Sequence, residues 1–120
     1  MTFVAAYWWK VRPGHEARFR AAWREGTRLI RERYGSLGSR LHRDQDGRFV
    51  GIAEWPDRAT WQRAYDAAMA YDNEAVREAF LTALEDSAEE PFLLMEVTDD
   101  LLSPAHEHSP AGRSGRDGDN

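Results

Sequence analysis

The order of elements in this chain predicts an α+β fold with the arrangement βαββαβ: a four-stranded antiparallel sheet carrying its helices on one face. Three observations predict it. The segment from Gly35 to Trp61, GSLGSRLHRDQDGRFVGIAEWPDRATW, reads as strand, tight turn, strand and abrupt helix entry. A strand-helix unit precedes it, and a helix-strand unit follows it. The length of 120 residues and the hydrophobic share of 42% suit one domain around one core.

The first strand is read over Thr2 to Val11. Strand alternation puts Phe3, Ala5, Tyr7, Trp9 and Val11 on one face and Val4, Ala6, Trp8 and Lys10 on the other. Both faces are apolar, so both need cover; the chain's own helices supply one, and a second copy is the simplest source of the other. Arg12-Pro13-Gly14 breaks the strand. From His15 to Tyr34 the residues Phe19, Ala22, Trp23, Gly26, Thr27 and Ile30 recur at helical spacing, with arginines and Glu25 and Glu32 opposite. Gly35 is placed to end this helix.

The hairpin strands are read as Leu37 to Arg43 and Arg48 to Trp55. They are joined by Asp44-Gln45-Asp46-Gly47, whose last pair tolerates positive φ. Pro56 stops the second of them and Asp57 caps a helix reaching about Met69. A further cap at Asp72 or Asn73 opens a stripe of Ala75, Val76, Ala79, Phe80, Ala83 and Leu84. Pro91 introduces a last strand, Phe92 to Thr98. Residues 1–102 are read as the domain and 103–120 as a disordered tail rich in Pro, Gly, Ser, His and charge.

Composition excludes several classes. There is no cysteine, hence no disulfide and no thiolate chemistry. No apolar run is long enough for a bilayer, and the N-terminus lacks a basic leader pattern, so no membrane partner and a cytoplasmic location are expected. The net charge of −5 argues against nucleic acid. The charge is uneven: six Arg face three Glu between His15 and Arg33, whereas ten acids face Arg77 alone between Asp72 and Asp100. Two solvated helix faces explain this; steering of a charged partner is the alternative. His106-Glu107-His108 is too short a ligand set for a metal site, and no phosphate loop or nucleophile motif is present, so no metal and no cofactor are expected.

The chain resembles the dimeric α+β barrel superfamily, and within it the antibiotic-biosynthesis-monooxygenase-like group, over about residues 3 to 101. The resemblance rests on the first strand running into Val11-Arg12-Pro13-Gly14-His15-Glu16 and an aromatic-bearing helix. It also rests on Gly35-Ser36-Leu37-Gly38-Ser39 entering the hairpin and on Glu54-Trp55-Pro56-Asp57 with Trp61 beyond. It implies a ferredoxin-like protomer, a homodimer that closes a barrel through the sheet face, and a small-molecule ligand cleft between sheet and helices. It further implies cofactor-free monooxygenation of an aromatic or polyketide-like substrate. Heme-degrading members carry an Asn where Tyr7 stands and a Trp where Ala64 stands, and use a later His as the iron ligand. No His lies between His42 and His106, so heme degradation is disfavoured.

The candidate catalytic residues are Tyr7, Tyr65 and His42. Tyr7 holds the strand position the family uses, Tyr65 follows Ala64 on the roofing helix, and His42 offers a base near neutral pH. Trp9, Trp23, Trp55, Trp61 and Tyr71 are candidates to stack a flat substrate, with core packing as the plain alternative for each. Glu54, the one acid in FVGIAEW, is expected to pair across the sheet with Arg40 or Lys10, or else to act as a proton acceptor. A non-catalytic dimeric binding protein and an isomerase or cyclase on the same scaffold are the remaining readings.

Overall fold

The computed structural model describes residues 1–88 and 90–103. The tail beyond residue 103, with its His106-Glu107-His108 pair, lies outside the described residues. The elements run β1 (Phe3–Val11), α1 (Glu16–Tyr34), β2 (Gly38–Arg43), β3 (Phe49–Trp55), α2 (Arg58–Asp66), α3 (Glu74–Thr82), β4 (Leu84–Ser87) and β5 (Leu93–Glu96). All strand pairs are antiparallel, in the order β2-β3-β1-β4, and β5 also pairs with β1. This is the ferredoxin-like order, with the last strand in two pieces.

That split departs from the single final strand read from the sequence. β4 pairs with Trp9–Val11 and β5 with Phe3–Ala6, so both lie along one edge of β1. The Ala88 N–H donates to the Trp8 carbonyl at 3.2 Å and the Phe92 N–H to the Ala6 carbonyl at 2.9 Å, so four positions of this segment stand against two of β1. Pro91 lacks an N–H for the ladder and sits in this interruption. β4 takes up Leu84, which the helical stripe seemed to claim, because α3 ends at Thr82.

Local chemistry marks the end of α1 and the starts of α2 and α3, whereas α1 begins after His15 without a side-chain cap. Gly35 adopts φ 83° and its N–H donates to the Arg31 carbonyl at 3.0 Å, closing α1. The Asp57 carboxylate accepts from the Thr60 N–H at 2.8 Å, and the Asn73 side chain from the Val76 N–H at 3.1 Å. The end of α2 departs from the sequence expectation, stopping at Asp66 rather than near Met69. Ala68 and Met69 both take positive φ, 55° and 54°, and the Met69 N–H reaches back to the Ala64 carbonyl at 2.8 Å. Two left-handed non-glycine residues are costly and must be held by their surroundings.

Register assigns the faces. Tyr7 opposes Gly51 and Ala5 opposes Ala53 on the helix-covered side; Trp8 opposes Val50 and Ala6 opposes Ile52 on the open side. The covered side holds two buried clusters. One joins Phe3, Ala5, Trp55, Trp61 and Ala64 beneath α2. The other joins Phe19, Phe49 and Ala83, with Trp9, Trp23 and Phe80 packed against it. On the open side Trp8, Val50 and Ile52 are only half-buried, and the Arg48 guanidinium lies 5.3 Å from the Trp8 ring centre. Lys10 pairs with Glu85 at 3.6 Å, not with Glu54, because β4 brings Glu85 to that end of β1.

Candidate functional site

A cleft of about 240 Å³ opens where the two core clusters fail to meet. The sheet supplies its floor through Tyr7, Trp9, Ala53 and Trp55. Helix α1 supplies one wall through Trp23, Gly26, Thr27 and Ile30. The left-handed turn after α2 brings Met69 and then Tyr71 to the opposite wall, and α3 adds Arg77 and Phe80. Two glycines make room for this arrangement. A Cβ at Gly51 would lie 2.8 Å from the Trp9 ring, and one at Gly26 would lie 3.1 Å from the Tyr71 hydroxyl. Any larger residue would push one of those aromatics out of place.

The lining is largely apolar, with the hydroxyls of Thr27, Ser36 and Ser39 at its border, and three of its residues carry groups of chemical interest. The first is Tyr7. Its oxygen accepts a hydrogen bond from the Trp61 indole N–H at 3.1 Å, which leaves its own proton available to the cleft. Burial pushes the Tyr7 pKa above its usual 10.0, the Trp61 hydrogen bond works against that shift, and Tyr65 adds slightly to it. Tyr7 is therefore a neutral donor at physiological pH. The second is Trp55, which is 1% exposed and whose indole N–H has no hydrogen-bond partner among the described residues. A buried donor without a partner is uncommon. The third is Arg77, whose guanidinium sits 5.9 Å from the Tyr71 ring centre. Burial raises the Tyr71 pKa, while the charge and hydrogen bond of Arg77 lower it. The lining of the cleft contains no carboxylate and no imidazole among the described residues.

The residues singled out from the sequence fall into three places. Tyr7, Trp9, Trp23, Trp55 and Tyr71 line the cleft. Trp61 is buried behind Tyr7, and Tyr65 stacks on Trp61 with ring centres 5.1 Å apart; neither borders the cavity. His42 is on the other side of the sheet. It opposes Val50, shares the open face with Trp8, and its Nδ1 is hydrogen-bonded to the Val50 carbonyl at 3.2 Å. The protomer thus does not bring His42 together with Tyr7. Glu54 and Arg40 line an open-face groove with His42. Arg77 escaped the sequence reading because it looked like one base in an acidic segment; its approach to Tyr71 is a tertiary feature. Among the described residues no group of three His, Asp or Glu is gathered to hold a metal ion, and no helix is long and apolar enough to cross a membrane.

Comparison with known proteins adds the family. The chain matches the solved structure of SnoaB, a cofactor-independent oxygenase from Streptomyces nogalater, at 21% identity and a TM-score of 0.60, covering 85% of this chain and 98% of that one. It matches Rv0793 from Mycobacterium tuberculosis at 14% identity and a TM-score of 0.60, covering 85% and 100%. A further structure, described as an antibiotic biosynthesis monooxygenase, matches at 25% identity and a TM-score of 0.57, covering 82% and 100%. At such identities the first two likenesses speak for the fold. A search of curated proteins finds no match. The family model for antibiotic biosynthesis monooxygenase matches residues 1–70, more than half of the chain, ending just before Tyr71 and Arg77. The ferredoxin-like scaffold and this match together establish that the chain belongs to the antibiotic biosynthesis monooxygenase family.

Proposed function

We propose that the protein is a cofactor-independent monooxygenase acting on a small, flat, aromatic or polyketide-like substrate held between sheet and helices. The observation that carries this reading is the Tyr7 hydroxyl: a neutral donor, fixed from behind by Trp61, facing an aromatic cleft. A substrate with an acidic ring CH₂ beside a carbonyl can lose a proton to solvent and become an enolate. Tyr7 donates to the enolate oxygen, the Arg77 charge stabilises the anion from the opposite wall, and Trp55 offers a further donor. The electron-rich carbanion then reduces dioxygen itself. In sum the CH₂ becomes C=O, one oxygen atom enters the product and the other leaves as water, so the substrate supplies every electron. The protein's part is to bind and orient the substrate and to stabilise the anion.

Oxygen consumption with anthrone-like and quinol-like substrates tests the proposal. Turnover in the wild type that falls sharply in Tyr7→Phe supports it; equal turnover in the two removes Tyr7 from the chemistry. His42→Ala tests the open face, since loss of activity there would move the reaction out of the cleft. A second reading, a non-catalytic binding protein, is favoured by one observation: the lining lacks a carboxylate or imidazole base among the described residues. Ligand binding without oxygen uptake across the substrate panel would establish it. The same lack weighs against an isomerase or cyclase, which needs an internal acid-base pair.

We also propose that two protomers pack open face to open face. Trp8, Val50 and Ile52 are half-buried there, and Leu37, Leu93 and Met95 are 54%, 47% and 41% exposed. A standard interface buries roughly 800 Å² per partner, a gross gain of about 20 kcal/mol per partner before association costs. His42 would then lie in the interface.

A further inference from the structure

Beside the cleft lies a second concavity of about 560 Å³, between α1 and the β2 edge of the sheet. Arg20 and Arg24 of α1 and Arg40 and Arg43 of β2 border it, against one carboxylate, Glu16. It shares two residues, Trp23 and Ser39, with the aromatic cleft, so the two spaces adjoin at those side chains. The acids of α1 are already committed: Glu25 and Glu32 both bind Arg28, one turn beyond Arg24, and Glu16 lies 4.0 Å from Arg43. Arg20 and Arg24 have no carboxylate within ion-pairing distance among the described residues. Arg43 is braced in place by the Phe49 ring, 4.8 Å from its guanidinium carbon. On a chain whose net charge is −5, a concave cationic groove of this kind is a local reversal of sign. Concave, low-dielectric walls concentrate such a field.

Resting on the reading of the cleft as a substrate site, we propose that the Arg20–Arg24–Arg43 groove binds an anionic tail, carboxylate or phosphate, carried by the ligand whose aromatic part occupies the cleft. Guanidinium groups suit both anions, since their N–H fork matches two oxygens at once. The groove's adjacency to the cleft at Trp23 and Ser39 favours a tail on a small molecule over a separate acidic macromolecule. The substrate class narrows accordingly to a flat aromatic head bearing an acid at some distance from the reacting ring.

Three ligands test this: a naphthalene ring on a butyl linker ending in a carboxylate, a phosphate monoester or a neutral hydroxyl. Titrations follow quenching of tryptophan fluorescence, with Trp23 at the junction of the two spaces. The better of the two anions is expected to bind about tenfold tighter than the alcohol at low salt, with the advantage shrinking near about 0.5 M salt. In the Arg20→Gln/Arg24→Gln double variant the advantage collapses while the affinity for the alcohol stays the same. Both substitutions are at exposed positions, and thermal unfolding confirms that the variant is folded. Which anion wins assigns the tail as carboxylate or phosphate. Equal affinity for all three ligands, or an advantage that survives the double substitution, overturns the proposal. Failure of the alcohol to bind counts against the cleft reading instead. In that case the Nε–H resonances of Arg24 and Arg43 decide the groove: shifts on adding either anion support it, and their absence overturns it.

Discussion

Tyr7 and Trp61 form a pair in which one side chain supports the chemistry of the other. Tyr7→Phe removes the donor facing the cleft and also strands the Trp61 N–H. The expected cost is about 100-fold in turnover, with about 1–3 kcal/mol of stability lost from the orphaned indole. Trp61→Phe separates the two effects, because it keeps the Tyr7 proton and should cost far less in turnover; oxygen uptake and denaturant melts read both. The direction of the Tyr7 pKa sets the pH behaviour. Burial holds the folded-state value above 10.0, so this residue's contribution is intact below that pH and is lost as pH rises through the folded value. Tyr7→Phe should therefore lack part of the wild type's loss of stability in strongly alkaline urea titrations. At this scale the sequence was informative about side-chain character and less so about direction. Alternation showed that His42 shares a face with Arg40, but only the pairing with Val50 tells which face that is. Tyr71 and Arg77 stand six positions apart with a helix cap between them, and no local pattern announces that they meet.

The elements were legible where a single residue type forces a boundary. Gly35, Asp57 and Asn73 each stand where expected and do what their side chains allow. Asn73→Ala should cost about 1 kcal/mol, seen as a lowered melting midpoint, and should loosen the wall that carries Arg77. What escaped reading was set by packing. The Ala67–Ala70 stretch has good helix formers, yet the chain leaves the helix because Met69 is drawn into the cleft wall and Tyr34 binds the Ala70 carbonyl. The four residues of β4, LEDS, carry too little alternation to be called a strand, and only the free edge of β1 makes them one. Gly51 is a third case. A glycine inside FVGIAEW looks like a weak point of the strand, yet it is the space into which Trp9 lies. Gly51→Ala should displace that indole, cost about 1–3 kcal/mol and abolish binding of flat ligands, measurable by calorimetry.

At the scale of the whole molecule, the two-sided first strand was the clearest sequence signal, and its consequence is an unshielded face. Val4 and Ala6 are buried by their neighbours, but Trp8, Val50 and Ile52 remain half-buried. If that face closes a dimer, Trp8→Glu/Ile52→Asp should sediment as a monomer at micromolar concentration while keeping its circular dichroism. A wild type that is itself monomeric there would reject the dimer. The chain's charge asymmetry also acquires a location at this scale. Arg20 and Arg24 of α1 join Arg40 and Arg43 of β2 in one groove, whereas Asp86 and Glu85 lie along the far edge of the sheet, with Glu85 bound to Lys10.

The interrupted final strand has a consequence for how the fold breathes. β5 binds only the Phe3–Ala6 half of the β1 edge, and Leu93, Leu94 and Met95 bury little on either face, whereas β1 is also secured along its other edge by seven consecutive pairs with β3. Peeling β5 away would thus leave the cleft's floor intact. Amide protons of β5 should exchange with solvent through a local opening well below the energy of global unfolding, while those between β1 and β3 should wait for the whole domain to unfold. Opening at β5 would thus expose the Phe3–Ala6 edge of β1 while its pairing with β3 stays in place.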